Sequence, residues 1–366
     1  MNPEPVNTYK TSIAVWAITP NGAKLAEKIA SKVSDTDIYL SEKLQVSDSD
    51  RMVSFSDLAK ELAHRFHLYQ HHIFIMATGI VVRLLVPHIR HKTRDPAVVV
   101  LDELGQWAIS LLSGHMGGAN RLAGKIAEII GAQPVITTAT DLNGVPAIDV
   151  LAKEGGLLIE NPEAIKIVNM AFLTQSGVFC HDPGRLVKDR IPGSLLSNDS
   201  EPFDSNSKSD LYDRFQDVAG VYVDDKIVAL PDNVLILRPK SLVAGIGCNR
   251  NTPMEEIRTL LFDTLQAHDL SLRSLDCLAS INVKSDESGL LELAAHLELP
   301  LEFFDRDQLN RVEEIETPSS IVEKHVGAKS VCEAAAILAA GKGTLIVPKH
   351  STKNVTVAIA RKPYIS

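Results

Sequence analysis

The stretch Trp107-Ala108-Ile109-Ser110-Leu111-Leu112-Ser113-Gly114-His115-Met116-Gly117-Gly118-Ala119-Asn120 decides the fold predicted for this chain. Its first six residues are mostly apolar and predict a β-strand, and the apolar spacing across residues 122–130 predicts a helix behind the glycines. Glycines let a backbone approach a ligand closely, and the N–H groups at a helix start favour an anion. This order therefore predicts either an anion site with a titratable His115 or an ordinary tight turn with a surface histidine.

Two other predicted strands also end in polar residues. Residues 72–77 run into a turn with a cation close behind it, and residues 134–136 run into the polar residues 137–141. Ligands of open parallel sheets bind at the carboxyl ends of strands, so the three strand ends are expected to form one cleft for an anionic ligand. The substrate-binding candidates in this cleft are Thr78, Gly79, Arg83, Ser113, Gly114, Gly117, Gly118 and Thr138.

The segment before the glycine turn contains a predicted hairpin and a basic run. Residues 97–101 and 107–112 flank the turn sequence Asp102-Glu103-Leu104-Gly105, which predicts that the two strands pair as a hairpin. The basic run at residues 88–94 is typical of a solvated loop. It is also compatible with the rim of an anion-binding cleft, because arginine can bind a carboxylate through two hydrogen bonds. Arg94 is therefore a further substrate-binding candidate.

Composition limits the classes of protein to which the chain can belong. Its 366 residues suffice for two or three domains, and its net charge of −9 argues against general nucleic-acid binding. No apolar run approaches the ~20 residues that span a bilayer, and the polar first ten residues lack the apolar core of a signal peptide. The four cysteines are far apart in sequence, which fits reduced thiols in a cytoplasmic protein.

The alternation of strand and helix signals predicts an α/β fold, with two layered domains of mostly parallel sheets on either side of a smaller middle domain. We place the N-terminal α/β domain, with the glycine turn, at residues 8–133. The middle domain is placed at residues 134–239, with a mobile Ser- and Asp-rich loop at 192–210, and the C-terminal α/β domain at residues 240–366.

The C-terminal domain carries weaker signals for a second anion site. Gly245-Ile246-Gly247-Cys248-Asn249-Arg250 lacks the third glycine of a dinucleotide fingerprint and is better explained as a polar strand-end loop. Gly247 and Arg250 are binding candidates there, and Lys329 and Ser330 are candidates at a helix start. Histidines recur at residues 64, 67 and 71, but no carboxylate or cysteine completes a recognisable set, so no metal site is expected.

Taken together, these segments resemble the cobalt-precorrin-5A hydrolase family (CbiG). The element Gly-His-x-Gly-Gly-Ala-Asn of that family is intact at residues 114–120. The middle domain is only loosely similar. The other matching segments are residues 77–83, 94–100, 113–120 and 137–141 in the N-terminal half, and residues 245–248, 326–335 and 354–361 in the C-terminal half.

The resemblance implies a role in the oxygen-independent branch of vitamin B12 synthesis. The substrate would be a cobalt-bearing tetrapyrrole whose δ-lactone is opened by water, with loss of a two-carbon unit as acetaldehyde. The cobalt would arrive in the substrate, so no separate cofactor is expected. Lactone hydrolysis needs a base and donors for an oxyanion. His115 is the candidate base, Asp141 orients it or takes a proton, Asn120 is a polar helper, and the N–H groups of Gly117 and Gly118 are the expected oxyanion donors.

Two other classes of function stay open at this stage. The first is a tetrapyrrole-binding or channelling protein without chemistry of its own, and the second is a nucleotide-binding or isomerase-type α/β enzyme. The expected partner is a small-molecule cobalt-corrinoid substrate in the cytoplasm, with no nucleic acid and no membrane. Association with other enzymes of cobalamin biosynthesis and formation of a homodimer also stay open.

Overall fold

The structure is a computed structural model that describes residues 10–44, 51–91, 94–197, 212, 215–313, 315–317, 330–341 and 343–364. The chain divides into two compact units, Met1–Val150 and Leu151–Ser366. Of the expected loop at 192–210, residues 198–210 lie outside the described residues, as does Lys329.

The first unit is built on a seven-stranded sheet whose strand order is β3-β2-β1-β4-β5-β6-β7. Its strands are β1 (Lys10–Ala17), β2 (Thr36–Ser41), β3 (Met52–Phe55), β4 (Tyr69–Ile75), β5 (Ala97–Leu101), β6 (Trp107–Leu112) and β7 (Gln133–Val135). Its helices are α1 (Pro20–Ala30), α2 (Leu58–Arg65), α3 (Thr78–Leu85), α4 (Ala119–Ile130), α5 (Ala139–Leu142) and α6 (Ile148–Glu154), the last of which continues past Val150.

The direction of the strands in this sheet decides where each polar segment lies. Strands β1 to β5 pair in parallel, the predicted hairpin makes β6 antiparallel to β5, and β7 is parallel to β6. We call the edge at which β1 and β4 end the carboxyl edge, and the opposite edge the amino edge. Because Val98 at the start of β5 pairs with Leu112 at the end of β6, the glycine turn lies at the amino edge.

Helices cover both faces of this sheet. The apolar residues of α1 and α4 pack together on one face, and those of α2 and α3 pack on the other face. On the second face Trp16 stacks on Tyr39 with the ring centroids 4.2 Å apart. The strands are buried from both sides, as a doubly wound sheet requires. The unit extends past the expected boundary at residue 133, because β7 belongs to its sheet and the compact unit ends at Val150.

The second unit contains two sheets, a four-stranded one of order β8-β11-β10-β9 and a five-stranded one of order β14-β13-β12-β16-β15. Their strands are β8 (Leu158–Ile159), β9 (Phe179–His181), β10 (Gly220–Val223), β11 (Val234–Arg238), β12 (Leu242–Cys248), β13 (Leu275–Ile281), β14 (Leu301–Phe304), β15 (Thr344–Ser351) and β16 (Val355–Arg361). The helices are α7 (Ile165–Thr174), α8 (Met254–Ala267), α9 (Ser288–Leu297), α10 (Arg306–Asn310) and α11 (Cys332–Ala339). The predicted α/β fold with mostly parallel sheets is confirmed.

A buried carboxylate joins the two sheets of the second unit. Asp225 follows β10 and is fully buried, and its oxygens accept two hydrogen bonds from the Arg361 guanidinium at 2.7 Å each. The Ser241 hydroxyl donates a third bond at 2.8 Å. Since Arg361 ends β16, this ion pair holds the four-stranded and five-stranded sheets together.

Candidate active site

The structure divides the expected cleft between the two edges of the seven-stranded sheet. Thr78, Gly79 and Arg83 follow β4 and lie at the carboxyl edge, whereas the glycine turn and residues 137–141 follow β6 and β7 and lie at the amino edge. The prediction of one cleft is therefore wrong for Thr78, Gly79 and Arg83, because the hairpin reverses β6. Arg94 precedes β5, so it lies at the amino edge, where it is exposed.

The glycine turn uses its own backbone donors internally. The N–H groups of Ala119 and Asn120 donate to the carbonyl oxygens of Ser113 and Gly114 at 3.1 Å each, and the Gly118 N–H donates to His115 O at 2.9 Å. The N–H groups of Gly118, Ala119 and Asn120 are therefore not available to an anion, whereas the oxyanion donor expected at Gly117 stays a prediction. The turn requires unusual backbone angles, with φ of 57° at Ser113 and 89° at Gly118.

Two glycines of the turn are needed for close packing. A Cβ atom at Gly117 would lie 2.3 Å from Ser113 Cβ, and one at Gly114 would lie 2.7 Å from Asn120 Oδ1. Real Cβ atoms do not approach other atoms so closely. Gly114 and Gly117 therefore fix the shape of the turn, and with it the position of His115. The Ser113 hydroxyl oxygen is buried and has no hydrogen-bond partner among the described residues.

The His115 imidazole lies between polar groups at both of its nitrogens. Nε2 is 2.9 Å from Thr140 Oγ1 and 3.3 Å from Asp141 Oδ2. Nδ1 is 3.7 Å from Asp149 Oδ2. The His115 side chain keeps 22% of its surface exposed and that of Asp141 keeps 41%, whereas that of Asp149 keeps only 7%. A solvent-accessible imidazole thus has one carboxylate on the solvent side and a second, buried carboxylate behind it.

Asn120 holds Asp141 beside the imidazole. The Asn120 amide donates to Asp141 Oδ2 at 3.0 Å and to Thr138 Oγ1 at 2.8 Å, and its oxygen accepts from the Ser110 hydroxyl at 2.6 Å. The Thr138 hydroxyl also donates to Asp141 Oδ2 at 2.5 Å. The structure thus brings together the three residues predicted to be catalytic, His115, Asn120 and Asp141, with Thr138 beside them. We call His115, Asn120, Thr138, Thr140, Asp141 and Asp149 the histidine network.

Sequence reasoning missed Thr140 and Asp149. Both are nearly buried, at 4% and 5% exposure, so neither looks like a surface ligand residue. A signal for Asp149 was present in the apolar run Ala147-Ile148-Asp149-Val150-Leu151, because a charged residue in a buried helical pattern needs a polar partner.

His72 is a structural histidine in the core on the face of the sheet that α2 and α3 cover. It is fully buried, and its Nδ1 accepts a hydrogen bond from the Trp16 indole N–H at 3.0 Å, so the N–H of its ring is on Nε2 and donates to Phe66 O at 3.0 Å. Burial lowers the pKa of His72 to about 4. The ring is therefore neutral at physiological pH.

Most of the predicted binding residues in the second unit instead make contacts that stabilise the fold. Arg250 forms an ion pair with Asp286 that raises the pKa of the guanidinium, and it donates a further hydrogen bond to Val283 O at 2.7 Å. Ser330 is 2% exposed, with its hydroxyl 4.0 Å from Cys332 Sγ. A Cβ at Gly247 would lie 2.6 Å from Thr356 Oγ1, so this glycine serves strand packing. A second anion site at Arg250 and Ser330 is therefore not supported.

Within the described part of the chain, no group of three or more His, Cys, Asp or Glu side chains is arranged to hold a metal ion. None of the helices described is long and apolar enough to cross a membrane.

The fold is thus a doubly wound α/β sheet that holds a histidine between two carboxylates, an arrangement suited to acid–base chemistry. The chain belongs to the cobalamin biosynthesis protein G family, as the sequence predicted. Sequence models of that family match it as "Cobalamin synthesis G N-terminal" at residues 60–141, "Cobalamin biosynthesis central region" at 146–239 and "Cobalamin synthesis G C-terminus" at 242–360.

Relatives match over nearly the whole chain. A cobalt-precorrin-5A hydrolase of Priestia megaterium is 32% identical over 98% of this chain and 96% of its own length. A cobalt-precorrin-5A hydrolase of Salmonella typhimurium is 36% identical over 97% of this chain and 99% of its own length. A solved structure of a cobalamin biosynthesis protein G homologue from Sulfolobus solfataricus is 22% identical and covers 96% of this chain and 97% of that chain, with a TM-score of 0.36.

Proposed function

We propose that this protein is a cobalt-precorrin-5A hydrolase of anaerobic cobalamin biosynthesis. It opens the δ-lactone of cobalt-precorrin-5A and releases acetaldehyde to give cobalt-precorrin-5B. The observation that carries this proposal is the similarity to two such hydrolases over at least 97% of this chain. The histidine network supports it, because lactone hydrolysis needs a positioned base beside solvent.

The first step is attack of water on the lactone carbonyl. His115 Nε2 and Asp141 face the solvent side of the network, so a water held between them can transfer a proton to the imidazole as its oxygen attacks. Asp149, 3.7 Å from Nδ1, compensates the positive charge that the ring then gains. When the carbon–oxygen bond of the lactone breaks, the imidazolium returns the proton to the leaving alkoxide.

The second step is loss of the two-carbon unit. Lactone opening leaves a free hydroxyl next to the ring carbon. Removal of its proton lets the carbon–carbon bond break, with acetaldehyde as one product, and the electron pair passes to the macrocycle. His115 or Asp141 takes this proton as well, and the macrocycle supplies the electron sink, much as an organic cofactor does. The cobalt belongs to the substrate, and no metal held by the protein takes part in either step.

Acetaldehyde release tests the proposal. Purified protein is incubated anaerobically with cobalt-precorrin-5A, and acetaldehyde is measured by coupling to alcohol dehydrogenase and NADH. We expect one acetaldehyde per substrate. Cobalt-precorrin-5B, which has already lost the two-carbon unit, is the matched control and should give none. If the lactone substrate binds but stays intact, the proposal fails and a carrier or channelling role replaces it.

A further inference from the structure

A cavity lies at the carboxyl edge of the seven-stranded sheet, away from the histidine network. Its volume is about 450 Å³, within the range of small-molecule sites. Residues from the ends of β1 and β4 and from the β5–β6 hairpin line it, including Thr19, Met76, Thr78, Ile80, Glu103 and Trp107. We call this cavity the carboxyl-edge pocket.

The pocket occupies the position at which doubly wound sheets bind ligands. The chain passes from β1 to β2 on one side and from β4 to β5 on the other, so the strand order reverses between β1 and β4. The connections after these two strands lead to helices on opposite faces, which leaves a crevice between them. Residues 18–19 and 76–78, which follow these strands, line the pocket.

One wall of the pocket favours an anion. The N-terminus of α1 is capped by the Thr19 hydroxyl, 3.1 Å from Gly22 N, but α3 begins after Ala77 without a side-chain cap. The guanidinium of Arg83 folds back to Gly79 O at 3.4 Å, which adds a positive charge to the same helix end. The uncapped N–H groups of α3 and the Arg83 charge together attract a carboxylate.

Two apolar residues that line the pocket favour an apolar ring. Trp107, on the hairpin side, is 48% exposed, and Ile80, on α3, is 38% exposed. The Asp102 carboxylate is bound within the hairpin, where it accepts hydrogen bonds from the N–H groups of Trp107 at 2.6 Å and Leu104 at 3.1 Å. The Glu103 side chain also lines the pocket on the hairpin side.

We propose that the carboxyl-edge pocket is a second tetrapyrrole site, which takes one pyrrolic ring and its carboxylate arm from the edge of the macrocycle. The ring contacts Trp107 and Ile80, and the carboxylate meets the start of α3 beside Arg83. The two edges are separated by the six residues of β6, or about 20 Å at ~3.3 Å per residue, so a ring in this pocket is beyond the reach of His115. A tetrapyrrole bound in this pocket is therefore a different molecule from the one on which the histidine network acts. The choice of a tetrapyrrole rests on the proposed function, whereas the preference for a planar ring with a carboxylate rests on the pocket alone.

The test uses uroporphyrin, a porphyrin with eight carboxylates, as the probe. Binding is measured by titration of its Soret band, and hydrogen exchange with mass spectrometry locates it on the full chain. We expect slower exchange at residues 76–82 and 102–109. Ile80→Glu should weaken binding about tenfold, because it puts a negative charge at the pocket mouth. Val86→Glu, at an apolar and more exposed position at the C-terminal end of α3, is the control and should bind within about twofold of the parent.

Three outcomes would overturn the proposal. Protection confined to residues 113–120 would place the probe at the histidine network. Equal weakening by Ile80→Glu and Val86→Glu would indicate general charge repulsion. Loss of acetaldehyde release by Ile80→Glu at saturating substrate would make the pocket part of the catalytic site. Exchange protection is independent of turnover, so failure of the proposed activity and failure of the pocket are separate results.

Discussion

The two edges of the seven-stranded sheet differ in how they use polar groups. At the amino edge, side chains bind side chains, and Asn120 links Ser110, Thr138 and Asp141 in one network. At the carboxyl edge, an apolar cavity adjoins an uncapped helix start, and the anion-attracting groups are backbone N–H groups and Arg83. The first edge is organised to move protons and the second to hold a ligand. Both proposed sites lie at carboxyl ends of strands, of β1 and β4 at one edge and of β6 and β7 at the other, where open sheets bind ligands.

The strongest test of this comparison is His115→Ala. Loss of the base should lower the single-turnover rate by about 10²–10⁴, the usual range for a positioned acid or base. Binding of uroporphyrin at the carboxyl edge should not change. His64→Ala, at an exposed position on α2, is the control and should keep the parent rate. A rate within twofold of the parent for His115→Ala would remove the amino edge from the chemistry.

Gly117→Ala tests whether the shape of the turn sets the activity of the amino edge. The added Cβ would lie 2.3 Å from Ser113 Cβ, so the turn must shift and displace His115. We expect the turnover rate to fall about 10²-fold, as for a misplacement of about 1 Å. Gly124→Ala adds the same atom to α4 where no atom lies within 4 Å, so its rate should not change. Its helix should gain about 0.5–1 kcal/mol. Equal rates for both variants would contradict the packing argument.

Acid should destabilise the part of the sheet that carries the histidine network. His72 pairs with Val98, which pairs with Leu112 at the start of the glycine turn. Its pKa is lowered to about 4 in the folded protein, against 6.5 when unfolded, so the unfolded state binds more protons between these values. Stability is therefore complete above pH 6.5 and is lost as the pH falls towards 4, by about 3 kcal/mol in all.

Urea unfolding at pH 7 and pH 4.5 measures this loss. His72→Gln keeps a donor and an acceptor but does not titrate, so its stability should change less with pH than that of the parent. The same pH dependence in both proteins would show that other groups cause it.

Asp149→Asn tests the buried carboxylate behind His115. It keeps the size of the side chain but removes the charge that compensates the imidazolium, so kcat should fall about tenfold with KM unchanged. Glu128→Gln removes an exposed charge from α4 and should leave both kcat and KM unchanged. An unchanged kcat for Asp149→Asn would assign Asp149 a packing role.

Local patterns in the sequence predicted the elements of this site better than their relation in space. The strand, turn and helix around residues 107–130 and the hairpin at residues 102–105 are confirmed. The error at Thr78, Gly79 and Arg83 arose because the expectation of one cleft assumed that all strands run in one direction. The predicted hairpin already contradicts that assumption, since it reverses β6. The sequence alone was therefore enough to predict that the glycine turn lies at the edge opposite Thr78, Gly79 and Arg83.

Other features of the site could not be predicted from the sequence, because they depend on contacts between residues that sequence spacing does not encode. The hydrogen bonds from Ala119 and Asn120 to the turn carbonyls close the expected anion site, and no residue type predicts them. The approach of Thr140 and Asp149 to His115 depends on how α5 and α6 pack, 25 and 34 residues further along the chain. The sequence around Arg250 favours anion binding, but it does not show that Asp286 already forms an ion pair with this guanidinium.

The buried Asp225 limits how this protein can be cut into working fragments. The family matches end and begin between residues 239 and 242, which invites separate expression of a middle and a C-terminal fragment. Such a cut would leave Asp225 in one fragment and Arg361 in the other, and an unpaired buried carboxylate costs about 3–5 kcal/mol. A fragment that contains both sheets of the second unit keeps both partners of the ion pair. The middle and C-terminal segments should therefore be expressed together, although the family matches treat them as two.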